Sequence, residues 1–123
     1  VSNFSDLLGL TITACDLALG EESVNFETKE GRTFVMFHSQ DCCEHVSVED
    51  ISGDMADVIG SPITMAEESE SDENPEGVNP DYQDSFTWTF YRLGTAKGMV
   101  TIRWYGSSNG YYSEQVDFVE TKP

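Results

Sequence analysis

Cations are scarce in this chain. Its 123 residues hold six Lys and Arg against 23 Asp and Glu, a formal charge of −17. No Lys or Arg occurs between Arg32 and Arg92, a span in which 14 acidic residues run from Asp41 to Asp84. Nucleic-acid binding relies on Lys and Arg that displace counterions from phosphates, so direct binding to nucleic acid is not expected. Long apolar runs are missing too. None approaches the roughly 18 residues that a membrane span needs, so no membrane association is expected. Val1 to Leu10 has neither the basic n-region nor the apolar h-region of a signal peptide. Cysteine is sparse and odd in number, with Cys15 alone and Cys42 beside Cys43. That pattern argues against a secreted disulfide framework and for a reducing compartment. Adjacent cysteines rarely reach the Cβ separation of a disulfide without strain, so none is expected between Cys42 and Cys43. No phosphate-cradling glycine loop, nucleophile elbow or His-Glu-x-x-His site is present.

What the chain does hold is β pattern. Hydrophobic residues make up 38% and aromatics 11%, enough for one modest core. Ser2 or Asn3 caps a short expected helix that Gly9 stops. Leu10 to Leu19, Ser23 to Thr28, Thr33 to His38 and Cys42 to Val48 read as strands, with a hairpin turn at Lys29-Glu30-Gly31-Arg32. The period then changes. Ile51, Met55, Val58 and Ile59 share a helical face, with Asp50 or Ser52 at its start and Gly60 and Pro62 at its end. Pro62 to Ala66 resumes as an edge strand, and residues 67–84 read as an acidic exposed loop.

The last third alternates most clearly. Phe86, Trp88 and Phe90 alternate with Thr87, Thr89 and Tyr91, and Val100, Ile102 and Trp104 with Thr101, Arg103 and Tyr105. Tyr112, Val116 and Phe118 continue the pattern. These strands predict an antiparallel meander whose Phe86, Trp88, Phe90, Ile102, Trp104 and Phe118 face covers the helix. The expected fold class is therefore α+β: a mainly antiparallel β-sheet of about six strands, bent or split in two, with one central short helix and a short N-terminal helix. One domain spans residues 1–123.

Three segments could carry chemistry. His38-Ser39-Gln40-Asp41-Cys42-Cys43-Glu44-His45 gathers imidazoles, thiols and carboxylates that zinc accepts, or a thiol nucleophile with a histidine base. Adjacent cysteines on a strand point to opposite faces, however, so at most one joins a given site. The preferred reading is structural, with one thiol in the core and the other facing away; no metal, cofactor or catalytic residue is expected. Asp72-x-Asn74-x-Glu76-Gly77 resembles the opening of a calcium loop, but Gln83 stands where a bidentate Glu belongs and no helix flanks it. The third segment is the outer face of the meander, where Arg103 among tyrosines suits an anion, a planar ring or a partner. Candidate binding residues are His38, Gln40, Asp41, Cys43 and Glu44 in the first group, and Tyr91, Arg103, Tyr105, Asn109 and Tyr111 in the second.

The strings His38-x-Gln40-Asp41-Cys42-Cys43-Glu44 and Thr101-Ile102-Arg103-Trp104-Tyr105-Gly106 resemble those of an uncharacterised family of small proteins encoded in tailed-phage and prophage genomes. The resemblance implies a protein made in the cytoplasm of an infected bacterium, and it brings no established active site. The leading expectation is a non-enzymatic phage protein that binds a basic surface of a host or defence protein, its carboxylates standing in for nucleic-acid phosphates. The alternatives are a binder that sequesters a small nucleotide-like ligand, and a virion accessory protein. Solubility alone is the plainest account of the charge. The oligomeric state is left open.

Overall fold

The computed structural model describes residues 3–39, 44–71, 85–108 and 114–121. Among these, β1 (Ile12–Cys15), β2 (Ser23–Thr28), β3 (Thr33–Phe37), β4 (His45–Ser52), β5 (Met65–Ser71), β6 (Ser85–Thr95), β7 (Gly98–Ser108) and β8 (Asp117–Thr121) are strands. They form two antiparallel four-stranded sheets, ordered β1-β2-β3-β8 and β4-β7-β6-β5. The only helical pieces among the described residues are two 3-10 turns, Phe4–Leu7 and Met55–Asp57. The fold is nearly all β, and the α+β expectation is wrong.

The expected central helix fails for a local reason and a distant one. Ile51 is drawn into the ladder opposite Ile102, so β4 runs on to Ser52. Gly53 then takes φ +98, which no helix allows, and a Cβ there would collide with the Met99 carbonyl oxygen. Asp54 accepts a bond from the Ala56 amide at 2.9 Å, capping a single 3-10 turn. The segment left after Gly53 is too short to propagate a helix. The N-terminal helix is likewise one 3-10 turn, with the Asn3 amide bonded to the Asp6 carboxylate at 3.1 Å.

The two sheets enclose one core. Phe26, Phe34 and Met36 from the first meet Ile102, Trp104 and Tyr91 from the second, all with 1% or less of their surface exposed. Each such side chain contributes about 1.5–3 kcal/mol by leaving water. The Trp104 indole donates to the Met36 sulfur at 3.0 Å, joining β7 to β3. Phe4 wedges between Tyr91 and Phe118, at centroid distances of 4.7 and 5.4 Å.

The β2–β3 and β6–β7 hairpins are as expected, but the third meander strand is not. β8 pairs with β3 in the first sheet, Val35 opposite Val119, rather than with β7. The β6 faces are also exchanged. Thr89, Tyr91 and Leu93 lie opposite Trp104, Ile102 and Val100 and point inward, while Trp88 lies opposite Tyr105 on the outer face. Glu67, Glu68 and Glu70 are exposed as expected, yet they belong to β5, an edge strand paired with β6. Residues 72–84, with the calcium-like segment, lie outside the described residues.

Along one side the sheets are stitched by the backbone. Gly60 and Ile63 donate to the carbonyls of Ile12 and Leu10, and Gly20 donates to Val48. Along the other side the edge strands β5 and β8 each have one sheet neighbour among the described residues.

Candidate functional site

The segment after β3 and the segment before β4 meet through a buried pair. His38 follows the last β3 residue, Phe37, which lies opposite Asp117 of β8. That register brings the imidazole beside the chain entering β8. Its Nδ1 lies 2.6 Å from the Gln115 carbonyl oxygen, and its Nε2 lies 3.0 Å from a Glu44 carboxylate oxygen. The two side chains are 3% and 0% exposed. A carbonyl only accepts, so Nδ1 carries hydrogen. One further proton then lies between Nε2 and Glu44, either as imidazolium with carboxylate or as imidazole with carboxylic acid.

A second buried carboxylate sits nearby. Glu114 is 9% exposed and accepts a hydrogen bond from the Thr87 hydroxyl at 2.9 Å. Glycine at 106 makes room for it, because a Cβ there would stand 3.0 Å from Glu114 and 3.1 Å from Val46. Burial first, and the Glu114 charge second, push the Tyr105 hydroxyl pKa upward. His38, Glu44, Glu114 and Gln115, from separate parts of the chain, therefore converge on one place. Two segments some 77 positions apart are joined there by one imidazole.

Chemically, this arrangement positions rather than reacts. Both ring nitrogens of His38 are engaged and the ring is closed to solvent, so it is not a base presented to a substrate. Gln40, Asp41, Cys43, Asn109 and Tyr111 lie outside the described residues, as does the expected split of Cys42 and Cys43 between two faces. Among the described residues, no three His, Cys, Asp or Glu side chains gather as metal ligands. Cys15 is free and partly buried, and burial pushes its thiol up to about 12, which holds it in the unreactive protonated form at neutral pH.

The remaining candidates lie elsewhere. Tyr91 is in the core, its hydroxyl donating to Glu68 at 2.9 Å. Its pKa is raised by burial, then by Glu68, Glu70 and Asp117. Arg103 and Tyr105 do share the outer face of the second sheet. The Arg103 guanidinium carbon stands 4.9 Å from the Trp88 ring centre, and Tyr105 packs on that ring at 4.5 Å. Glu49 accepts from Arg103 at 2.7 Å. Arg103 is thus a partnered cation that packs over Trp88.

Glu68, Thr87, Glu114, Gln115 and Asp117 were not singled out by sequence reasoning. Each stands in an ordinary alternating or polar stretch, so no local signal marked them. Glu68 and Asp117 line a groove of about 360 Å³ between β5 and β8, together with Phe4, Val116, Phe118 and Val119. A hollow of about 510 Å³ lies across β1, β2, β3 and the end of β8, by Cys15, Asn25, Thr33 and Thr121. No helix of the described residues is long and apolar enough to cross a membrane. No curated protein and no solved structure matches the chain. A family model does match over residues 5–118, and the chain belongs to that family, DUF7448, a domain of unknown function.

Proposed function

We propose that this chain is a non-enzymatic binding protein of phage or prophage origin, acting in the bacterial cytoplasm on a basic surface of a host or defence protein. The observation that carries the proposal is the distribution of charge. Arg32 is paired with Glu120 and Arg103 with Glu49, each at the surface. The edge strand β5 meanwhile exposes Glu67, Glu68 and Glu70. Two of the six basic residues are thus cancelled locally, and the surplus carboxylates set the long-range field, which speeds encounter with a basic partner. The phage context rests on the two strings quoted above.

Binding of a small nucleotide-like ligand draws less support. Its anchor, Arg103, is already held by Glu49 and Trp88, Tyr91 is buried in the core, and the net charge of −17 repels anions. The test is capture from bacterial lysate by immobilised wild-type protein and by Glu67→Gln/Glu70→Gln, at low and high salt. A specific basic partner, released by salt and weakened by the variant, is the expected result. A partner held equally by both proteins at high salt, or no partner at all, would refute the proposal.

A further inference from the structure

We infer that the groove between β5 and β8 receives an extended basic segment of the partner, added as a strand to the edge of β8 that no described strand occupies. The inference rests on the reading of this protein as a binder of basic surfaces, and it names the place and the form of contact.

Three independent features meet at the groove. The first is backbone. β8 pairs with β3 on one side and with no other described strand. A strand edge offers a row of amide donors and carbonyl acceptors to an incoming chain. The second is shape. Phe4, Val116 and Phe118 line the groove with apolar surface, so alternate side chains of an added strand could turn inward and leave water. The third is charge. Glu68 lines the groove from β5 and Asp117 from β8. Glu68 accepts from the Tyr91 hydroxyl at 2.9 Å and Asp117 from the Ser39 hydroxyl at 3.3 Å, which fixes both carboxylates at the groove. Lys or Arg at the remaining alternate positions would meet Asp117, which alternates with the inward Phe118, and one at an inward position would meet Glu68, which shares a face with Tyr91. The expected ligand is therefore an extended peptide that alternates apolar and basic residues.

The edges of β4 and β1 are less available, and β5, the other strand with one neighbour among the described residues, walls the groove from the opposite side. The backbone of Gly20 and Glu21 covers the edge of β4 at Val48, and the Gly60–Ile63 segment bonds along the start of β1.

The experiment uses a synthetic peptide alternating valine with lysine and arginine, titrated into the full chain by calorimetry, with hydrogen exchange at Asp117–Thr121 as the structural readout. Two comparisons make it decisive. One is the same peptide N-methylated at alternate amides, which keeps its charge and removes its ladder donors. The other pairs Glu68→Gln/Asp117→Asn with Glu22→Gln/Glu27→Gln, an equal change of charge away from the groove. The expected result is binding with slowed exchange in β8, at least about tenfold weaker for the methylated peptide and for the groove variant, and within about twofold of wild type for the control. If both peptides bind alike, or both variants lose affinity alike, the contact is long-range attraction; the groove is then wrong while the basic-partner reading stands. A dimer that forms through β8 and excludes the peptide also overturns the inference. If no basic peptide and no basic protein binds, the parent reading fails with it.

Discussion

Replacing His38 by Ala should be among the most damaging single changes outside the apolar core. The ring bridges the Gln115 carbonyl and the Glu44 carboxylate, with both side chains closed to water. Removing it takes a hydrogen-bond partner from a Glu44 carboxyl group that is 0% exposed, and deletes a second hydrogen bond besides. Breaking a buried pair from one side costs on the order of 3–5 kcal/mol, a large share of a small domain's total stability. A surface pair such as Arg103 with Glu49 contributes at most about 1 kcal/mol, because water screens it. The assay is urea unfolding of wild type, His38→Ala, Glu44→Ala and the double variant. The two single changes should not add: the second should cost less once the first is made, with a coupling of about 1–3 kcal/mol. Hydrogen exchange should rise at the β3 end and the β8 start together, since one ring holds both. A loss below about 1 kcal/mol for His38→Ala, or strictly additive losses, would refute the reading of His38 as the clasp between these segments.

Gly53→Ala should destabilise by about 3 kcal/mol, since the side chain meets the Met99 carbonyl in a left-handed conformation; an unchanged urea midpoint would refute that geometry. Cys15 and Tyr91 both have raised folded-state pKa values, so their neutral forms favour the native state. Their contribution is complete below the unfolded-state pKa and is lost as pH climbs, for Cys15 from about 9 toward about 12. Stability should accordingly fall from about pH 9 toward about pH 12, and fall less in Cys15→Ala; an equal fall in both proteins would contradict the burial of this thiol. Arg103→Ala should cost about 1–2 kcal/mol, from an ion pair and a ring contact at the surface, with a shift in Trp88 fluorescence as the ring opens to water. A cost above about 3 kcal/mol would mean that Arg103 does more than pack.

How much of this was legible in the sequence follows from the range of each interaction. The β2–β3 and β6–β7 hairpins were, because alternation and the intervening turns are local properties and each strand's partner is its neighbour in the chain. The acidic surface needs only composition and solvent. The inward face of β6 was not legible. Phe86, Trp88 and Phe90 are the more apolar row, yet Tyr91 turns inward because Glu68 on another strand accepts its hydroxyl and Phe4 packs on its ring. The spacing of Ile51, Met55 and Ile59 fits a helix until Ile102 claims Ile51 for the ladder and Gly53 fills a close approach to Met99.

The candidate site divides the same way. The histidine and acid string marks a place of unusual chemistry, and the structure brings His38 and Glu44 together within it. It also adds Gln115 from 77 positions away, and it holds Tyr91 through Glu68 and Arg103 through Glu49 and Trp88 instead. Periodicity assigns a strand and two alternating rows of side chains. Which row is buried, and which strand lies alongside, depends on contacts made between distant parts of the chain. Sequence by itself therefore determined that this is an acidic chain rich in antiparallel strands, while tertiary structure alone decided that β8 leaves the meander and pairs with β3, with no second neighbour among the described strands.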